Sequence, residues 1–133
     1  MRLWHYKLLP FLPKSQLIAQ WRELNSIFKN KPNHILIEYV YGRPSDLKAY
    51  AYKVIAEFDR RGYAIKSFSN MNNYFSGKVI IGIADPFPDI HNRRYLLQCF
   101  YNLQEKYDRG QKDFSKLEYD ALVEFVNQKE NRK

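Results

Sequence analysis

One cysteine, Cys99, stands in this 133-residue chain, which excludes an internal disulfide framework and any multi-cysteine zinc site. It falls on the apolar side of a helical stretch and reads as a buried core thiol. Histidine is nearly as scarce. His5, His34 and His91 lie far apart and none has a partner at helical ligand spacing, so nothing in the pattern calls for a metal. The 5 glycines form no phosphate-cradling loop and no serine elbow, leaving nucleotide hydrolysis and ordinary ester chemistry without support. Long apolar runs are absent too. Leu8, Leu9, Phe11 and Leu12 are interrupted by Pro10 and Pro13 with no small-residue cleavage site after them. No run approaches the ~20 residues of a membrane span.

Acidic residues are the other deficit: 14 Asp and Glu face 22 Lys and Arg, a formal charge of +8. Residues 1–61 hold 11 basic against 5 acidic side chains and residues 62–133 hold 11 against 9, which concentrates the excess in the first half. A polyanionic ligand suits such a surface. With 45% hydrophobic residues the chain can bury one core of its own, so a single domain over residues 1–133 is expected.

Apolar periodicity supplies the elements. Leu17, Ile18, Trp21, Leu24, Ile27 and Phe28 recur at three- and four-residue spacing, predicting a helix from Lys14 to Lys29. Its polar side carries Gln16, Gln20, Glu23, Ser26 and Asn30, with Arg22 beside it. Residues His34 to Tyr41 read as a short β-like run. Pro44-Ser45-Asp46 then caps a helix through Leu47, Tyr50, Ala51, Val54, Ile55 and Phe58 that Gly62 stops. The stretch from Tyr63 to Ile90 reads as mostly irregular, with Val79–Ala84 either a buried strand or a packed loop. Asn92 to Asp108 is a further helix with Gly110 past its end, and Ser115 with Glu118 forms a capping box for a last helix fraying over Asn127–Lys133. The expected fold is all-α or mostly α: a compact bundle of three to four helices with long irregular connections.

Aromatic residues reach 17% and several sit beside basic ones, at Trp4-His5-Tyr6-Lys7 and at Tyr39, Tyr41 and Arg43. Rings of this kind receive bases unstacked from a duplex while Lys and Arg hold phosphates. About half of them, including Trp21, Tyr50, Phe58 and Phe100, fall at core spacing.

The segment Leu8 to Leu24 carries a resemblance. It ends in Trp21-Arg22-Glu23-Leu24 and resembles the pyrimidine dimer DNA glycosylase family, the phage endonuclease V type. There a short basic N-terminus leads into a helix bearing an aromatic-Arg-Glu-Leu step. The opening Met1-Arg2-Leu3-Trp4-His5 is similar to a bacterial branch of that family. A second match runs from His34 to Lys66, with the helix end Arg60-Arg61-Gly62-Tyr63-Ala64-Ile65-Lys66.

The resemblance implies an N-glycosylase with abasic-site lyase activity on UV pyrimidine dimers, working through an imine between the N-terminal α-amine and C1′ of the damaged nucleotide. An α-amine has an ordinary pKa of about 7.7–8.0 and so offers more free base at neutral pH than a lysine near ~10.4. Met1 is then the nucleophile. Arg2 implies that Met1 is retained and deformylated. Glu23 is the implied carboxylate, stabilising positive charge on the sugar and moving protons. Arg2 and Arg22 are the nearest phosphate grips, His5 and His34 belong to the same DNA-facing set, and Lys14, Lys29 and Lys31 are outer contacts. Where the family carries a basic residue three positions after the glutamate, this chain has Ser26.

Taken together, a monomer is expected that acts on double-stranded damaged DNA without cofactor or metal, in the cytoplasm and nucleoid-associated when bound. Two other readings fit the same composition: a module that binds bent or damaged DNA without cutting it, and a basic domain whose aromatic surface binds another protein.

Overall fold

Helix α1 occupies Lys14–Asn30, α2 Pro44–Arg61, α3 Ser69–Phe75, α4 Arg93–Asp108 and α5 Lys116–Asn131. Short 3-10 helices at Tyr6–Phe11 and Glu38–Val40 precede α1 and α2. This computed structural model describes residues 1–131, with side chains through Gln128. Among the described residues there is no strand, and no helix is long and apolar enough to cross a membrane. The mostly α architecture matches the periodicity, with α3 as the element that periodicity did not mark. The first 3-10 helix is central: α2, α4 and α5 all pack on it, while α1 packs on α2 and α3. Leu3, Leu8, Leu9, Leu17, Leu24, Leu47, Val54 and Leu103 are fully enclosed between them, each stabilising by about 1.5–3 kcal/mol.

The helix ends follow local chemistry. Gly62 adopts φ +76° and the Gly62 and Tyr63 N–H groups donate to Asp59 and Phe58 carbonyls at 3.0 and 2.9 Å, a Schellman closure that glycine makes without strain. Tyr63 packs back on Phe58. Ser115 and Glu118 form the reciprocal capping box, at 3.0 and 3.1 Å. At the start of α2 the side chains do other work than capping. Pro44 takes the first helical position, Ser45 Oγ accepts the Ile81 N–H at 2.8 Å, and Asp46 Oδ1 accepts the Phe87 N–H at 2.6 Å. They tie the long connection between α3 and α4 to α2.

One expectation is corrected. Residues 34–41 form a turn and a 3-10 helix rather than a β-like run, because Ile37 and Val40, three apart, are the ones buried while Ile35 is 81% exposed. Val79–Ala84 is irregular, in line with the reading of Tyr63–Ile90, and of its two alternatives the buried strand does not hold, since Val79 and Ile81 face solvent. Helix α5 extends as far as Asn131, and residues 132 and 133 of the segment expected to fray lie outside the described residues. Cys99 is buried, as its position on α4 implied.

Candidate active site and nucleic-acid interface

Residues 1–5 have no regular structure, yet four side chains from three helices take up their backbone groups one after another. Gln20 of α1 accepts the Trp4 N–H at 2.7 Å and donates to the Arg2 carbonyl at 3.1 Å. Tyr50 of α2 places its hydroxyl 2.7 Å from the Trp4 carbonyl and 2.8 Å from Gln20 Oε1. On α4, Tyr95 donates to the Leu3 carbonyl and the Cys99 sulfur accepts the His5 N–H at 3.4 Å. The terminal strand is thus threaded into the bundle by side chains where a sheet would have used backbone, and each such bond is worth about 0.5–1.5 kcal/mol net.

This threading brings the chain start to Glu23. The Gln20 amide also donates to Glu23 Oε2 at 3.2 Å, and the Arg2 backbone N–H acts to lower the pKa of the same carboxylate. Half-burial pushes the Glu23 carboxyl above the ordinary carboxylate range. The positive charge of the N-terminal amine is the foremost opposing influence, followed by the Arg2 N–H, the Arg22 guanidinium and the Gln20 amide. Met1 itself is 37% exposed. An amine and a half-buried carboxylate of raised pKa therefore share one partly enclosed edge of the molecule, open to solvent on the Met1 side.

The other residues singled out in the sequence divide by environment. Arg22, Lys14, Lys29 and Lys31 are exposed, and none has a carboxylate partner among the described residues. Lys14 lies 5.0 Å over the Tyr63 ring. Arg2 turns partly inward, 5.9 Å over the Tyr95 ring, with its guanidinium also acting on the Cys99 thiol, which burial pushes up. His34 is half-buried and its Nδ1 accepts the Leu36 N–H at 3.2 Å. His5 goes the other way: it is 3% exposed, stacks on Tyr6 at 4.9 Å, and its Nδ1 accepts the Lys7 N–H at 3.1 Å. It packs the terminal strand and does not reach the surface.

Two features had no sequence signal strong enough to find them. Gln20 sits among polar residues on the helical wheel, yet it is 1% exposed because residues 2–4 lie across it. His91, in the loop before α4, is buried against Tyr39, Phe87 and Tyr95, with its Nε2 2.8 Å from the Tyr39 hydroxyl. Burial, reinforced by the charges of His5 and Arg43, takes its pKa down to about 3. Among the described residues no group of His, Cys, Asp and Glu could hold a metal ion.

On the exposed arc of α1, Arg22 and Lys29 are seven residues apart and so fall nearly in line, about 10 Å along the axis. A groove of about 570 Å³ runs beside Arg22 between Trp21, Phe58 and Tyr63, with Lys14 and Lys66 on its rim.

The sequence profile of the pyrimidine dimer DNA glycosylase family matches residues 1–71, more than half of the chain. The chain belongs to the pyrimidine dimer DNA glycosylase family. The matched span contains the whole threaded terminus, α1 with Glu23, and α2. At the level of the family this makes it a DNA glycosylase of DNA repair, with damaged DNA as its partner. No curated protein and no solved structure matches the chain.

Proposed function

We propose that this glycosylase also cleaves the strand, as an abasic-site lyase acting on UV pyrimidine dimers in duplex DNA through the Met1 α-amine. The observation that carries the reading is that one side-chain amide, Gln20, holds both the Arg2 carbonyl at 3.1 Å and the Glu23 carboxylate at 3.2 Å, which puts the start of the chain beside Glu23. The unprotonated amine adds to C1′ as the bond from C1′ to the base breaks, and the departing base takes up a proton. The added nitrogen loses a proton, its lone pair then opens the C1′–O4′ bond, and O4′ is protonated, leaving an iminium at C1′. Glu23 accepts the C2′ proton, the C2′–H electron pair enters the iminium as an enamine, and that pair expels the 3′ phosphate. Water hydrolyses the imine and returns the amine.

A carboxyl held above its ordinary range by burial is a stronger base once ionised, which suits proton removal from carbon. Arg22 and, less directly, Arg2 grip phosphates, with Lys14, Lys29, Lys31 and His34 further out. His5 contributes by packing the strand that presents Met1. The chemistry needs no metal or cofactor. The test is borohydride trapping on a duplex with one abasic site, in the presence of EDTA. A covalent adduct mapped to Met1 is expected, and DNA binding without an adduct would overturn the lyase assignment in favour of a non-cutting module.

A further inference from the structure

At the C-terminal end of α1 the structure forms a second basic feature, separate from the threaded terminus. Lys29, Lys31 and Lys78, with Asn70, Asn73 and Tyr74, line a cavity of about 290 Å³. Lys31 and Lys78 both place their ammonium groups over the Tyr74 ring, at 5.8 and 4.3 Å, and Lys78 is anchored by a bond to the Tyr74 carbonyl. Asn70 is fixed by donating to Asn25 of α1 at 3.2 Å. No carboxylate pairs with any of the three lysines among the described residues. Lys31 has a further peculiarity. It adopts φ +47° as the residue closing α1, a left-handed conformation that disfavours any side chain and that glycine usually fills. A lysine held there against its backbone preference points to a task for its charge.

We propose that this cavity is a phosphate-binding site that grips the backbone of the same duplex away from the reacting nucleotide. Lys29 lies on the arc of α1 that carries Arg22, about 10 Å further along, which corresponds to roughly three steps of 3.4 Å along a strand. The proposal rests on the family's action on duplex DNA and is independent of the imine chemistry.

The test is binding of an undamaged duplex by fluorescence anisotropy across roughly 50–200 mM salt. It compares the wild type, a Lys29→Gln/Lys31→Gln/Lys78→Gln triple variant, a Lys31→Gly single variant, and a charge-matched control with Lys106, Lys112 and Lys116 changed to Gln. The slope of log affinity against log salt is expected to fall by about 0.9 per lysine at the cavity, and to be nearly unchanged in the control. Lys31→Gly keeps α1 closed by the residue type that favours its backbone, so its smaller slope reports charge and not unfolding. Inorganic phosphate is the second arm: it should protect wild-type Lys78 from amine-directed acylation only at high concentration, whereas duplex should do so at binding concentrations. An unchanged slope in the triple variant, or an equal loss in the control, overturns the proposal. Borohydride trapping at saturating DNA separates the two readings: a reduced slope with no adduct in any protein leaves the phosphate site standing and rejects the lyase.

Discussion

Gln20 Oε1 accepts the Trp4 backbone N–H at 2.7 Å while the same side chain donates to the Arg2 carbonyl two residues earlier. One side-chain amide thereby copies the pairing a neighbouring strand would give, and it does so one turn before Glu23 on α1. This bond pair ties residues 2–4 to α1, while Tyr50 and Tyr95 tie the Trp4 and Leu3 carbonyls to α2 and α4. Gln20→Leu keeps the volume and removes these two bonds together with those to Glu23 and the Tyr50 hydroxyl, leaving the buried Trp4 N–H and the part-buried Arg2 carbonyl without this partner. A stability loss of about 2–4 kcal/mol is expected. Gln20 acts as a positioning residue, so affinity for undamaged duplex should stay within about threefold while the trapping rate at saturating DNA falls by about tenfold or more. Equal effects on affinity and rate would mean that the variant merely loosens the fold.

Arg22 is exposed on the arc of α1 that also carries Lys29, and its charge lowers the Glu23 pKa without forming an ion pair among the described residues. Arg22→Gln should weaken binding to any duplex sequence and lower the salt slope by about 0.9. The measurement is anisotropy at several salt concentrations. A change confined to damaged DNA would instead assign Arg22 to lesion recognition.

Much of this arrangement could be read from the residues, because α1, α2, α4 and α5 each bury one stripe and have a recognisable start or stop. Gly62 and the Ser115–Glu118 box show the chemistry directly. The 34–41 segment misleads because Ile35, Leu36 and Ile37 form an unbroken apolar triplet, and only the fold decides that Ile37 goes inward. Helix α3 escapes notice since seven residues, three of them asparagine, give neither a cap nor a full amphipathic repeat. At the site, Glu23 was marked by the Trp21-Arg22-Glu23-Leu24 step. Gln20 was not, because a polar residue on a polar helical face carries no sign that another segment will cover it.

His91 gives the fold a defined acid limit. In the folded state its pKa lies at about 3, chiefly from burial, with His5 and Arg43 opposing the cation and Asp89 weakly favouring it. Tyr39 and Tyr95 pack against it as neutral groups. Its unfolded value is the ordinary one near ~6.5. The unfolded chain therefore binds a proton that the folded chain refuses, and stability present above ~6.5 is lost as pH falls toward 3. The slope should approach about 1.4 kcal/mol per pH unit between about pH 6 and 4. Urea unfolding of His91→Phe over that range should show a slope shallower by about one proton. An identical slope would place the proton uptake elsewhere.

Glu23 has the opposite linkage, and the chemistry proposed for it would set function against stability at the site. Its folded pKa is raised by burial, so between the unfolded and folded values the folded chain binds the extra proton. Stability is then highest in acid and declines as pH rises through that window, leaving a standing cost at neutral pH. Glu23→Gln removes the charge and keeps an oxygen for the Arg2 N–H. Thermal melting at pH 7 should place the variant at or above the wild-type Tm, with the difference shrinking toward pH 4. Trapping and strand cleavage at saturating DNA should fall by about 10²–10⁴-fold, the usual worth of a positioned acid–base group. An active Glu23→Gln protein would remove the carboxylate from the mechanism. A variant that is both inactive and markedly less stable would show instead that Glu23 serves chiefly to hold the terminus, since a residue retained for chemistry is expected to cost stability where it sits.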